Sequence, residues 1–162
     1  MAFRLPPTTL RRIGFELDAP TDMTIEPTKS GGARVRGPTG EVEIEVFQAA
    51  LVIDRDGILE EKIRTAVDAA VATDPGARVL ETIPVELPGA SGYRSDVELM
   101  RPPGTPRPER PYVLVFALAP NDLGVDGGVV IRVRCATVDW PATESILASL
   151  RILTRRSATA NE

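Results

Sequence analysis

The stretch Glu41-Val42-Glu43-Ile44-Glu45-Val46 alternates acid and β-branched residue without a break. That period suits a strand, in which successive side chains point to opposite faces. Val42, Ile44 and Val46 then line one face and the three glutamates the other, so the sheet has one face on a core and one that meets water or cations. Arg132 and Arg134 lie on another alternating segment with Val129, Ile131 and Val133. They meet the glutamates if the two segments are neighbours; a plainly solvated acidic face is the other reading.

Further strands follow from the same period. Ile13, Phe15 and Leu17 alternate with small or acidic residues, and Met23–Glu26 and Ala33–Arg36 flank a Lys29-Ser30-Gly31-Gly32 turn. Val79, Glu81, Ile83 and Val85 alternate with Leu80, Thr82, Pro84 and Glu86. Pro84 has no amide to donate, which predicts an edge strand or a bulge. Tyr93–Met100 runs back after the Leu87–Gly92 turn, and the proline-rich Arg101–Pro111 reads as a stiff hairpin loop. Tyr112–Ala119 is apolar on both faces and reads as a central strand. Asp126-Gly127 is a turn dipeptide between apolar runs, and Cys135 falls on the apolar side of the strand after it.

Two segments change period. Leu59, Ile63, Ala66, Val67, Ala70 and Val71 recur at three- and four-residue steps, with Asp56 as N-cap and Pro75-Gly76 as terminator. Pro141 suits the first turn of a second helix with Ile146, Leu147 and Leu150 on its inner face. The fold class expected is α+β, a mainly antiparallel β-sheet of about six strands packed with two main helices. One domain spans residues 11–153, between looser segments at 1–10 and 154–162.

Composition narrows the chemistry. The chain has no histidine and one cysteine, Cys135, which removes histidine triads, His/Cys zinc sites and internal disulfides. Acids outnumber bases 23 to 19, for a net charge of −4, and aromatics make up 4%. Neither suits a nucleic-acid surface. Asp54-Arg55-Asp56-Gly57 resembles part of a calcium loop, but aligning Gly57 puts Val52 and Ile63 at the first and twelfth positions, where oxygen ligands belong. Asn121–Gly128 lacks the Lys-Ser/Thr of a phosphate loop. Ser91 lies in Gly89-Ala90-Ser91-Gly92-Tyr93, off the spacing of a nucleophile elbow and without a base.

Three short motifs remain: Ile13-Gly14-Phe15-Glu16-Leu17 followed by Asp18-Ala19-Pro20, Val85-Glu86-Leu87-Pro88-Gly89 followed by Tyr93-Arg94, and Ser145-Ile146-Leu147-Ala148-Ser149-Leu150. Together they resemble the Mog1/PsbP-like superfamily. Met23 stands near the place of the family's usual tryptophan. The resemblance spans most of residues 13–153. It implies a binding or accessory role, since members include photosystem accessory proteins, a small-GTPase-binding protein, lipoproteins and secretion chaperones.

The functional expectation is a non-catalytic, cytoplasmic module that is no enzyme and needs no cofactor or metal. Its partner is a protein, with a hydrophobic segment docking on Val113, Leu114, Val115 and Phe116, and Arg132 and Arg134 beside them. A chaperone or adaptor of a bacterial secretion system is the sharper version. The alternative is a small-molecule or lipid carrier with its ligand between sheet and helices. No nucleic acid and no membrane span are expected, since the longest apolar run, Val113–Ala119, is too short to cross a bilayer. The oligomeric state is left open.

Overall fold

The computed structural model describes residues 2–8, 12–38, 40–48, 55–73, 76, 78–98, 111–121, 124–135 and 141–154. Within them the elements run β1 (Ala2–Leu5), β2 (Ile13–Asp18), β3 (Thr24–Thr28), β4 (Gly32–Arg36), β5 (Gly40–Gln48), α1 (Arg55–Thr73), β6 (Arg78–Leu87), β7 (Ala90–Glu98), β8 (Pro111–Asn121), β9 (Gly124–Cys135), α2 (Pro141–Ser149) and β10 (Arg151–Thr154). Every strand pair is antiparallel. Hairpin-length connections between most successive strands favour that arrangement.

The strands form a seven-stranded sheet in the order β3-β4-β5-β9-β8-β7-β6 and a three-stranded sheet in the order β1-β2-β10. The class is therefore antiparallel α+β, but one sheet of about six strands understates it. Two of the strands left uncounted, β1 and β10, have four residues each, too few to display a period. Each becomes a strand only by pairing with β2 from opposite sides. Residues 2–5 thus join a sheet, and residues 155–162 lie outside the described residues.

The inner face of the larger sheet carries Val35, Val42, Ile44, Ile131 and Val133, all inaccessible to solvent. They form one cluster with Ile13, Phe15 and Leu17 of β2 and with Ile146 and Leu150 at α2. Burying each such side chain is worth about 1.5–3 kcal/mol against exposure, and this cluster is where the two sheets are joined. Polar ties support it. Ile152 N–H donates to the carbonyl of Pro88 at 2.9 Å, holding the tip of the β6–β7 hairpin on β10. Ser149 Oγ accepts from Asp18 N–H at 3.0 Å, and it lies 2.9 Å from the carbonyls of both Asp18 and Ile146.

Helix α1 lies over β7 and β8 on the outer face. Its Lys62 ammonium stands 4.7 Å from the ring centroid of Phe47, which shares the outer face of β5 with the glutamates. Leu59 and Ala66 are buried, whereas Ile63 and Val67 are half-buried. The helix begins at Arg55, so Asp56 lies in its first turn rather than at its cap. Asp54 and Asp74–Pro75 lie outside the described residues.

Two sequence expectations resolve at strand level. Strand β6 is the terminal strand of its sheet, and its register shift falls between Val79 and Glu81, so Pro84 is explained by the edge rather than by a bulge. Asp126-Gly127 is not a turn. Strand β8 runs to Asn121, opposite Gly124, and Gly127 pairs with both Ala119 and Gln48 inside the sheet. A Cβ at Gly127 would crowd the Phe47 carbonyl oxygen, so the glycine answers a close backbone approach. The proline-rich segment 101–110 lies outside the described residues.

Candidate functional site

The outer faces of β4, β5 and β9 carry a ladder of opposite charges. Register places Arg34 opposite Glu43, Arg36 opposite Glu41, Glu43 opposite Arg132 and Glu41 opposite Arg134. The side chains follow. Arg34 Nη2 lies 2.8 Å from Glu43 Oε2, and Arg34 Nε lies 3.4 Å from Glu41 Oε1. Arg36 Nε is 3.2 Å from Glu41 Oε2. On the other side, Arg132 Nη1 reaches Glu43 Oε1 at 3.4 Å and Glu45 Oε2 at 2.9 Å.

Glu43 is the shared rung between β4 and β9. Its carboxyl is held below the ordinary carboxylate range, first by the hydrogen bond from Arg34, with burial acting against it, then by the charges of Arg34 and Arg132. The Arg34 guanidinium is raised correspondingly, chiefly by its hydrogen bond to Glu43. Each of the three glutamates is engaged by arginine, so the ladder is held as a fixed array of opposite charges. The glutamate side chains remain 20–36% exposed, and a partner can reach them.

The expected site residues fall into two groups. Arg132 belongs to the ladder, and Arg134 stands opposite Glu41 by register, its side chain lying outside the described residues. Val113, Leu114, Val115 and Phe116 belong to β8, between β9 and β7, and their side chains likewise lie outside the described residues. Register sets Leu114 opposite Arg132 and Phe116 opposite Val130, while Val113 and Val115 stand opposite Val133 and Ile131 of the inner face. The chain's own α1 lies over β8. Arg132 of the ladder thus stands next to β8, the strand over which α1 lies.

Sequence reasoning missed Arg34 and Arg36. Their signal was present: Arg34-Val35-Arg36 repeats the pattern of Arg132-Val133-Arg134, and the glutamate strand lies between the two. Ser91 is a strand residue of β7 opposite Leu118 and Glu86. Cys135 ends β9 opposite Gly40, and its side chain lies outside the described residues.

A second charged cluster ties β7 to α2. Arg94 Nη1 lies 2.8 Å from Glu144 Oε1, and its Nε lies 3.3 Å from Asp96 Oδ1. Burial pulls the Arg94 guanidinium down, but the hydrogen bond to Glu144 and the charge of Asp96 outweigh it and raise the group. Among the described residues, no three His, Cys, Asp or Glu side chains gather to hold a metal ion, and no helix is long and apolar enough to cross a membrane.

No family model matches the chain, and no curated protein matches it. Among solved structures, a protein from Bacteroides thetaiotaomicron VPI-5482, determined at 1.50 Å resolution, is similar with a TM-score of 0.46 and 14% identity over 88% of this chain. This chain spans 46% of the length of that protein.

Proposed function

We propose that this chain is a non-catalytic binding module of Mog1/PsbP-like type that recognises another protein through the outer face of β4, β5 and β9. The observation that carries this reading is the division of that face. Helix α1 lies over β7 and β8, while the adjoining strands present half-exposed arginines and glutamates whose positions are set by mutual ion pairs. Side chains already held in place lose less freedom when a partner docks, and arginine is enriched at protein interfaces. The ladder is internally compensated, so it selects a partner by matching its order of charges rather than by bulk attraction.

Arg132 and Arg134 are the contacts of this reading. By register Leu114 and Phe116 share the outer face with the ladder, and Val113 and Val115 share the inner face. Helix α1 lies over β8, so a hydrophobic segment docking on the outer face of β8 requires the helix to yield space. A chaperone or adaptor role in secretion is one form of such a module. The carrier alternative places its ligand between sheet and helices, where Ile13, Phe15, Ile44, Ile131, Ile146 and Leu150 are packed at 0% exposure.

Affinity capture from the source organism tests the reading, with the parent protein set beside Arg36→Glu and Arg132→Glu. The expected result is one stoichiometric protein partner that both charge reversals weaken, with the melting temperature of Arg36→Glu close to the parent. Capture indifferent to both reversals, or a small molecule retained in native mass spectrometry with no protein partner, overturns it.

A further inference from the structure

The four terminal strands of the two sheets are unequal. β6 has ten residues, β3 has five, and β1 and β10 have four each. An edge presents a row of unpaired N–H and C=O groups, and proteins ordinarily shorten it or blunt it with proline and charge. Strand β3 is short and holds Pro27. Strand β6 is long, and beyond Pro84 and the irregularity at Val79/Glu81 it stays extended. It also carries Val79 and Ile83, 43% and 40% exposed, the two exposed large hydrophobics among the described residues.

The acids of this edge differ from those of the ladder. Glu81 and Glu86 are exposed, and neither has an ion-pair partner among the described residues. Pairing with β7 fixes their faces: Glu81 and Ile83 stand opposite Asp96 and Arg94 on the inner side, and Glu86 stands opposite Ser91 on the outer side. Resting on the reading above that the chain binds protein, we propose that the β6 edge accepts an extended segment of a partner as an eighth strand. That segment carries basic residues near Glu81 and Glu86 and an apolar residue near Ile83. Main-chain hydrogen bonds supply the attachment, and the alternating side chains supply the choice of partner.

A second copy of this chain fits the edge less well. Directly opposed residues of an antiparallel pair share a face. A twofold pairing centred on Thr82 sets Glu81 against Ile83, one centred on Ile83 sets Glu81 against Val85, and one centred on Glu81 opposes two carboxylates. None brings a cation to Glu81. Arg78 shares the Ile83 side and not the Glu86 side; it already makes an interaction within the chain, and it meets Glu81 of a second copy only in a register confined to the irregular end. The net charge of −4 also favours a basic partner over a like one.

The test uses a synthetic valine-rich peptide of about eight residues, long enough to pair with most of a typical strand. It has two lysines five positions apart, so that lysine stands opposite both Glu81 and Glu86 and valine opposite Ile83. Its glutamate–valine counterpart and a version N-methylated along one backbone edge serve as comparisons. Amide hydrogen exchange of the full chain is expected to slow within 78–87 with the lysine peptide alone. In Glu81→Lys/Glu86→Lys, which alters exposed side chains only, affinity is expected to fall at least about tenfold. Equal protection by the acidic or N-methylated peptide, or none by the lysine peptide, overturns the proposal. So does a dimer in which β6 is protected without peptide. Arg132→Glu is expected to leave the peptide effect intact, so failure at this edge is distinguishable from failure at the ladder.

Discussion

Arg132 Nη1 stands 2.9 Å from Glu45 Oε2 across two neighbouring strands, although 87 residues separate them in the chain. The contact exists because β9 inserts between β5 and β8 rather than staying with its hairpin partner alone. The same insertion brings Glu43 between Arg34 and Arg132, and its consequences are measurable.

Stability should depend on pH through Glu43. Its carboxyl is depressed in the folded state, so below about pH 4.3 the unfolded chain takes up protons before the folded chain does. The contribution is present in full above that value and is lost as pH falls through the folded value. Urea midpoints measured from pH 7 to pH 2.5 should therefore fall on the acid side. In Glu43→Gln the fall should be shallower, with the variant below the parent at pH 7 and the two curves converging at low pH.

Gly14 tests the close approach of β1 to β2. A Cβ there would collide with the Leu5 carbonyl oxygen, a backbone atom held by the Leu5–Phe15 pairing. Gly14→Ala should cost about 1–3 kcal/mol, read as a lower urea midpoint, with exchange of the β1 amides accelerating more than that of β5.

Helix α1 is anchored unevenly. Leu59 is 1% exposed, so Leu59→Ala should lose about 2–4 kcal/mol. The half-buried Ile63 should lose clearly less on the same substitution. Equilibrium unfolding of the two variants under one set of conditions gives the comparison.

Ser149 fastens the end of α2 to β2. Removing its hydroxyl leaves the Asp18 amide without the 3.0 Å acceptor, and Ser149→Ala should cost about 1 kcal/mol. Thermal unfolding checks this, with Ser145→Ala on the exposed side of the same helix as reference.

The alternation of Glu41–Val46 was legible because period two has one structural solution, and the inner cluster follows from it. Pairing of Arg132 with Glu43 and Glu45 could be stated only conditionally, since strand order is a property of the whole chain. Arg34 and Arg36 escaped because five residues of strand show little period, although their spacing repeats that of Arg132 and Arg134. Asp126-Gly127 misled for a different reason. Glycine marks a turn and a close strand contact alike, and only the register opposite Ala119 and Gln48 distinguishes them. The leucine and valine run of β8 showed an interior strand correctly, while the cover supplied by α1 depends on tertiary packing that no local pattern encodes.

Site-specific photo-crosslinking in the native host tests recognition through the ladder most directly. A crosslinking side chain placed at Arg36, which is 48% exposed, should give one discrete protein adduct. The adduct should vanish when Arg132→Glu is added and be absent when the crosslinker sits at Ser145 on α2. The same adduct from both positions, or an adduct at Arg36 that survives Arg132→Glu, would contradict the account.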